Sequence, residues 1–171
     1  SPSGAPPVFW RRSMRALRTF QNNRSPGVII DLRQNTGGAP LGLAGYLTDQ
    51  PIPARQSEAY SDATGRFEKR GVPREIEPNE TQFRFDKVAV LVGLACSSAC
   101  EFEAYGFSQI PGAIVVGYYP TNGIFADVAR GDYRLPEGFS AQFSAMRTVL
   151  PDGSLLIEGK GVEPTLRVPI T

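Results

Sequence analysis

The chain has no histidine among its 171 residues, and that absence sets the first limit on its chemistry. A Ser-His nucleophile pair cannot be built from these residues, and histidine metal ligands are excluded with it. Cysteine is scarce as well, with Cys96 and Cys100 the only two. Two thiolates without histidine make a poor zinc site, so no metal and no other cofactor is expected. An excess of charge of one sign is also lacking. Lys and Arg number 18 against 17 Asp and Glu, and no basic run stands out, so neither nucleic acid nor an anionic membrane is an expected partner. Apolar runs reach only about five to seven residues where a bilayer span needs ~20, so no transmembrane segment is expected. The sequence starts at Ser1 without an initiator methionine or a recognisable signal peptide. A trimmed mature form or an excised fragment is therefore expected.

What is present reads most simply as one domain over residues 1–171. Residues 1–7 are rich in Pro, Gly and Ser and read as a tail. From 8 to 24, Phe9, Trp10, Met14, Leu17 and Phe20 fall near helical spacing, with Arg11, Arg12, Arg15 and Arg18 on the other side. That pattern predicts an amphipathic helix packed on a core with a solvated arginine face. Residues 28–32 form an uninterrupted β-branched strand that ends in a glycine-bearing turn, and 41–47 reads as a short helix. The pattern then recurs: an apolar run at 88–92, a helix over 98–110, and a third buried strand at 114–116. Alternating strands and helices predict an α/β layered fold with a partly parallel sheet. Residues 50–86 are charged and Pro-containing, and read as a flap or insertion anchored by Tyr60, Phe67, Phe83 and Phe85. After a turn at 120–123 the C-terminal part is rich in β signals. A hairpin is expected from 141–149 and 155–157 about Pro151-Asp-Gly153, then a last strand near 166–168.

The stretch Cys96-Ser-Ser-Ala-Cys-Glu101 carries the most chemistry. A strand that turns sharply into a helix lifts the serine at the bend clear of the sheet and aims the helix's free N–H groups at whatever bonds to it. A nucleophile with ready oxyanion donors needs that arrangement. Ser98-x-x-Glu101 equally fits a capping box, in which both residues only satisfy backbone N–H groups. The two cysteines stand one helical turn apart, and read either as a disulfide or as small packing residues. The turn after the first strand holds Gly37-Gly38, which suits an oxyanion hole or a ligand-free tight turn. Asp31 and Arg33 beside it read as a simple pair. Functional groups in an α/β sheet gather beyond the carboxyl ends of its strands. If the strands before Ser98 and Gly37 are neighbours, the glycine N–H and the Ala99 N–H converge on one carbonyl oxygen. No base is well placed. Lys87 starts the strand leading to Ser98, roughly 20 Å from its far end. No local pattern positions Lys69 or Lys160, and Glu101 alone is a weak base for a serine.

Taken in order, these landmarks resemble the carboxyl-terminal-processing (tail-specific) peptidases and the related tricorn core domain. Val28-Ile-Ile-Asp-Leu-Arg-Gln-Asn-Thr-Gly-Gly38 is similar to the family's strand-plus-glycine motif, and Cys96–Glu101 to its Ser-x-x-Glu motif. Val115-Val-Gly117, Thr121-Asn-Gly123, Leu150-Pro-Asp-Gly153 and Gly159-Lys-Gly-Val-Glu-Pro164 continue the match. The resemblance implies a crotonase-like (ClpP/crotonase-type) layered α/β catalytic domain that cleaves peptide bonds. Ser98 would be its nucleophile, Ala99 with Gly37 or Gly38 its oxyanion donors, and Glu101 part of the same motif. It also implies a periplasmic or extracellular setting. One departure is plain: where processing peptidases carry a lysine base shortly after Thr-x-Gly, this chain has Ile124. Two readings follow. The first is a serine peptidase domain whose base comes from outside the chain, from an upstream domain acting on a polypeptide substrate. The second is a non-catalytic module that keeps the fold and binds an extended peptide ligand at a sheet edge. On either reading the isolated chain turns over little or no substrate.

Overall fold

β-branched runs set the sheet on which the rest is arranged. The computed structural model describes residues 8–125 and 132–169. In chain order it contains α1 (Val8–Asn22), β1 (Gly27–Asp31), a 3-10 turn (Leu43–Tyr46), β2 (Ile52–Ser61), β3 (Arg66–Ile76) and β4 (Lys87–Leu91). There follow α2 (Ala99–Ser108), β5 (Ile114–Gly117), β6 (Asp132–Arg134), β7 (Ser140–Gln142), β8 (Met146–Val149) and β9 (Leu166–Arg167). Four strands form a parallel sheet in the order β1-β4-β5-β9. Val28, Val88, Val90 and Val115 bury one face of it, in a core shared with Cys100, Ala104 and Phe107 of α2. Each such valine contributes roughly 1.5–3 kcal/mol by leaving water.

The register of this sheet positions the site. Asp31 lies opposite Leu91 across β1 and β4, and Leu91 opposite Val116 across β4 and β5. The carboxyl ends of the three strands are therefore level, and the turns that leave them emerge side by side. The condition left open by the sequence, that the strands before Gly37 and Ser98 be neighbours, is met by direct pairing.

In four places the structure differs from expectation. Residues 50–86, expected as a partly ordered flap or insertion, are largely regular: β2 and β3 pair antiparallel along most of their length, and β8 joins them in the order β3-β2-β8. Of the expected anchors, Phe83 is buried and stacks on Tyr46 and Phe85 packs against the core, whereas Tyr60 and Phe67 meet edge to face across the hairpin and stay exposed. The helix predicted over 41–47 is only the single 3-10 turn. The predicted C-terminal hairpin keeps its tight turn, with the Gly153 N–H donating to the Leu150 carbonyl, but beyond it only the Val149–Leu155 bridge forms. The regular pairing of β8 is with β2, on its other edge. Finally, α1 forms and its arginines are exposed, but its apolar stripe is poorly covered. Leu17 packs on the core while Phe20 stays 42% exposed. The expected 1–7 tail and the side chains of Phe9 and Trp10 lie outside the described residues.

Candidate active site

The bend between β4 and α2 is strained. Ser98 has φ 56 and ψ −124, whereas an ordinary N-cap residue sits in the relaxed β region. A non-glycine residue held at positive φ costs on the order of 1–3 kcal/mol and persists only where its surroundings over-determine it. Here they do. The Ser98 N–H donates to the Ile124 carbonyl at 2.8 Å and to Glu101 Oε2 at 3.1 Å. Cys96 and Cys100 are joined by a disulfide across the bend, and both are fully buried. Of the two cysteine readings, the bonded one is realised. Ser98 and Glu101 have the shape of a capping box. The bond that closes it is the glutamate one, since the Glu101 N–H itself donates to the Ser98 backbone carbonyl at 2.9 Å.

Glu101 is buried completely. A carboxylate there is tolerable only if its lone pairs are filled. Oε1 accepts from the Thr121 hydroxyl at 2.7 Å and the Gly123 N–H at 2.5 Å, and Oε2 from the Ile124 N–H at 2.8 Å as well as from Ser98. One side chain thus fastens the 121–124 loop to the serine bend. Thr121 passes the link on, with its hydroxyl oxygen accepting from the Val162 N–H at 2.7 Å.

The glycine turn arrives from the β1 side. The Ser97 hydroxyl donates to the Thr36 carbonyl at 2.9 Å, tying the two turns together. Gly37, at φ +121, sits so close that an added Cβ would lie 3.0 Å from Ser98 Cβ and 3.5 Å from its Oγ. Gly37 and Gly38 do not serve alike, because the Gly37 N–H already donates to Asn35 Oδ1 at 3.0 Å. Gly38, Ser98 and Ala99 line one open cavity of about 400 Å³ with Pro40, Arg55 and Phe125, and with Met146, Arg147 and Thr148 of β8. Among the described residues neither the Gly38 N–H nor the Ala99 N–H has an acceptor. Of the residues singled out in the sequence, Ser98, Ala99 and Gly38 therefore share a cavity, Gly37 backs it, and Glu101 lies beneath it.

No lysine lines that cavity. Lys87 opens β4 at the opposite end from Ser98, and Lys69 is on β3 facing Glu58 of β2. Lys160 follows the turn near Gly123, and Ile124 is exposed. Asp31 and Arg33 pair at 2.7 Å, as their spacing suggested. Among the described residues no cluster of three or more metal-ligating side chains occurs.

Arg55, Phe102 and Phe125 went unread in the sequence. The two rings stack at 5.5 Å between centroids, and the Arg55 guanidinium lies over both, at 5.8 and 5.6 Å. A register shift in the β2–β3 pairing on either side of Arg55 turns this residue towards the rings. Burial, with Arg74 nearby, lowers its pKa from the usual arginine value. Glu103 was missed too. Its carboxylate accepts from the Leu41, Gly42 and Leu43 N–H groups at 2.6, 2.9 and 2.7 Å. Burial pushes its pKa up, against the pull of those three bonds. The only signal for it was an acid two residues beyond Glu101, inside the predicted helix.

The family model for peptidase family S41 matches residues 9–168. The chain belongs to peptidase family S41. That membership sets it among protease-type hydrolases, the group that holds the tail-specific serine peptidases. Solved structures agree on the fold. CPAF complexed with lactacystin is 20% identical with a TM-score of 0.75, the match covering 100% of this S41 chain and 44% of that one. A protein from Parabacteroides merdae described as a peptidase is 21% identical with a TM-score of 0.71, covering 92% and 50%. The photosystem II D1 C-terminal processing protease is 21% identical with a TM-score of 0.58, covering 91% and 38%. The chain therefore spans half or less of these relatives. No curated protein matches it in sequence. Among the described residues no helix is long and apolar enough to cross a membrane.

Proposed function

We propose that this S41 domain is the nucleophile-bearing part of a serine endopeptidase, with Ser98 attacking the peptide carbonyl. Its crotonase-like layering belongs to the same proposal. The observation that carries the reading is that the N–H groups of Gly38 and Ala99, without acceptors among the described residues, line one cavity with a strained serine. In the reaction the Ser98 hydroxyl adds to the carbonyl carbon and gives its proton to a base. The carbonyl oxygen becomes an oxyanion bonded by the Gly38 and Ala99 N–H groups. The amine then leaves with that proton, and water hydrolyses the acyl-serine in the same way. Glu101 touches no reacting atom and acts as a positioning residue for the bend. With no histidine in the chain and no lysine at the cavity, the base comes from outside these residues, from another part of the full-length protein. A periplasmic or extracellular setting fits the Cys96–Cys100 bond, since disulfides persist in oxidising compartments.

The peptide-binding alternative has less support. Adding a strand beside the cavity would need free N–H and C=O groups on the outer edge of β8. Those groups are taken. The Thr148 N–H donates to Glu158 Oε1 at 3.1 Å and its carbonyl accepts from the Leu156 N–H at 3.0 Å. The Met146 N–H and carbonyl both bond the Ser144 hydroxyl, at 3.3 and 2.8 Å.

A fluorophosphonate probe tests the proposal. The full-length protein is expected to be labelled at Ser98, with labelling lost in Ser98→Ala, while the isolated chain reacts slowly or not at all. Absence of labelling on the folded full-length protein removes the nucleophile.

A further inference from the structure

The cavity beside Ser98 holds two arginines, one with an ion-pair partner and one, among the described residues, without. Arg147 donates to Glu58 at 2.8 Å and lies over the Phe67 ring at 4.2 Å. Arg55 is half-buried on its aromatic platform and, among the described residues, has no carboxylate within ion-pair distance. Directly across the strands from it stands another arginine, Arg74, likewise without an ion-pair partner among the described residues. Like charges opposite each other on paired strands are destabilising. Removing a guanidinium from water without an anion adds a further cost. Among the described residues the cavity lining contains Arg55 and Arg147 and no acidic side chain, and the Glu58 that pairs with Arg147 leaves Arg55 uncompensated. The two rings sit against the guanidinium from one side, so part of its freedom is already given up before a planar anion docks.

We propose that Arg55, supported by Arg74, is a specificity residue that binds a carboxylate of the polypeptide substrate next to the bond facing Ser98. The preferred substrate carries an Asp or Glu side chain near the scissile bond, or presents its own terminal carboxylate there. These two sources share one chemistry, a planar anion taken by a forked donor. The proposal rests on the peptidase reading for its substrate, but its test does not depend on turnover.

The probes are four fluorescein-labelled hexapeptides of otherwise identical sequence, with Glu or Gln in the interior and a free or amidated C-terminus. Their binding to the full-length protein carrying Ser98→Ala is followed by fluorescence anisotropy. One carboxylate source is expected to tighten binding about tenfold over its neutral counterpart, in line with charge-assisted bonds. The responding arm identifies the source. Arg55→Gln is expected to abolish the preference, Arg55→Lys to keep only part of it, and exposed Arg74→Gln to weaken it without threatening the core. Arg18→Gln, on the exposed face of α1, is expected to leave the preference intact. Equal binding of all four peptides, or a preference unchanged in both Arg55→Gln and Arg74→Gln, overturns the proposal. Fluorophosphonate labelling of Ser98 without any carboxylate preference defeats this inference and leaves the peptidase reading standing. A preference that depends on Arg55 in a protein whose Ser98 is never labelled does the reverse.

Discussion

Two buried carboxylates, two residues apart on α2, hold two different loops in different ways. Glu101 fastens the 121–124 loop and the serine bend with four bonds, one from a hydroxyl and three from backbone N–H groups. Glu103 holds only residues 41–43, through three consecutive N–H groups at the entry to a single 3-10 turn. The first clamp ties the serine bend to the 121–124 loop, which Thr121 in turn bonds to Val162, and it has a disulfide beside it. The second is local to one turn, and burial there outweighs the bonds enough to raise the carboxyl pKa. Burial alone therefore does not tell what a carboxylate does. The number of chain segments it joins is the better guide, and by that measure Glu101 supports the site while Glu103 supports the wall beside it.

Removing the larger clamp is expected to have the largest effect. Glu101→Ala leaves the buried Thr121 hydroxyl and the part-buried Gly123 and Ile124 N–H groups without their acceptor. Orphaned buried donors cost about 1–3 kcal/mol each, so with partial rescue by water a loss of roughly 4 kcal/mol is expected in urea denaturation. Fluorophosphonate labelling of Ser98 should fall with it even where the fold survives, because Ser98 then has only the Ile124 carbonyl and the disulfide to keep it strained. A cost under about 1 kcal/mol with full labelling would mean that water replaces the carboxylate, and the contrast between the clamps would collapse.

Glu103→Gln tests the other side. The amide oxygen keeps some of the N–H bonds, so a change within about 1–2 kcal/mol at neutral pH is expected. The sharper readout is its pH dependence. The folded pKa lies above the ordinary 4.5, so the folded state holds a proton that the unfolded chain gives up. The stability associated with that proton is present in full below 4.5 and is lost as pH rises through the folded value. Glutamine does not titrate. The advantage of the native protein over Glu103→Gln should therefore shrink as pH rises from below 4.5 to neutrality. A widening advantage would mean that the three N–H bonds outweigh burial.

The two clamps also differ in how far the sequence announces them. Glu101 stands in a recognisable Ser-x-x-Glu frame, and the apolar runs at 28–32 and 88–92 are enough to expect strands of a partly parallel sheet with turns at their ends, though not that the two are neighbours. What they could not reveal was which glycine N–H is free, because that turns on Asn35 bonding Gly37. Glu103 lacks a frame, since its partners lie about sixty residues away in a segment whose helix shrinks to one turn. The β2–β3 hairpin was hidden for another reason. Most of β3 faces solvent and carries charge, so it lacks the period-two apolar signal of a half-buried strand. Arg55 was lost with it, in a stretch that gave no sign of packing against α2.

The smallest effect is expected where a carboxylate is paired but not buried. Asp31 accepts from the Arg33 side chain at 3.0 and 2.7 Å and from its backbone N–H at 3.1 Å, just before the glycine turn. The Arg33 side-chain bonds are the main cause of a pKa below the ordinary 3.8, with burial opposing them. The sign is opposite to that of Glu103. The stabilisation is present above 3.8 and is lost as pH falls through the lower folded value. Both partners are about half exposed, at 57% and 48%, so solvent screens most of the attraction. Asp31→Asn is accordingly expected to cost under about 1 kcal/mol at neutral pH, less in high salt, and close to nothing once the native aspartate is itself protonated. Ser98 labelling should not change, because the Ser97–Thr36 bond, and not this pair, ties the glycine turn to the serine. A loss of several kcal/mol, insensitive to salt, would show that the end of β1 is held by charge after all. Segment count would then no longer separate supporting carboxylates from decorative ones.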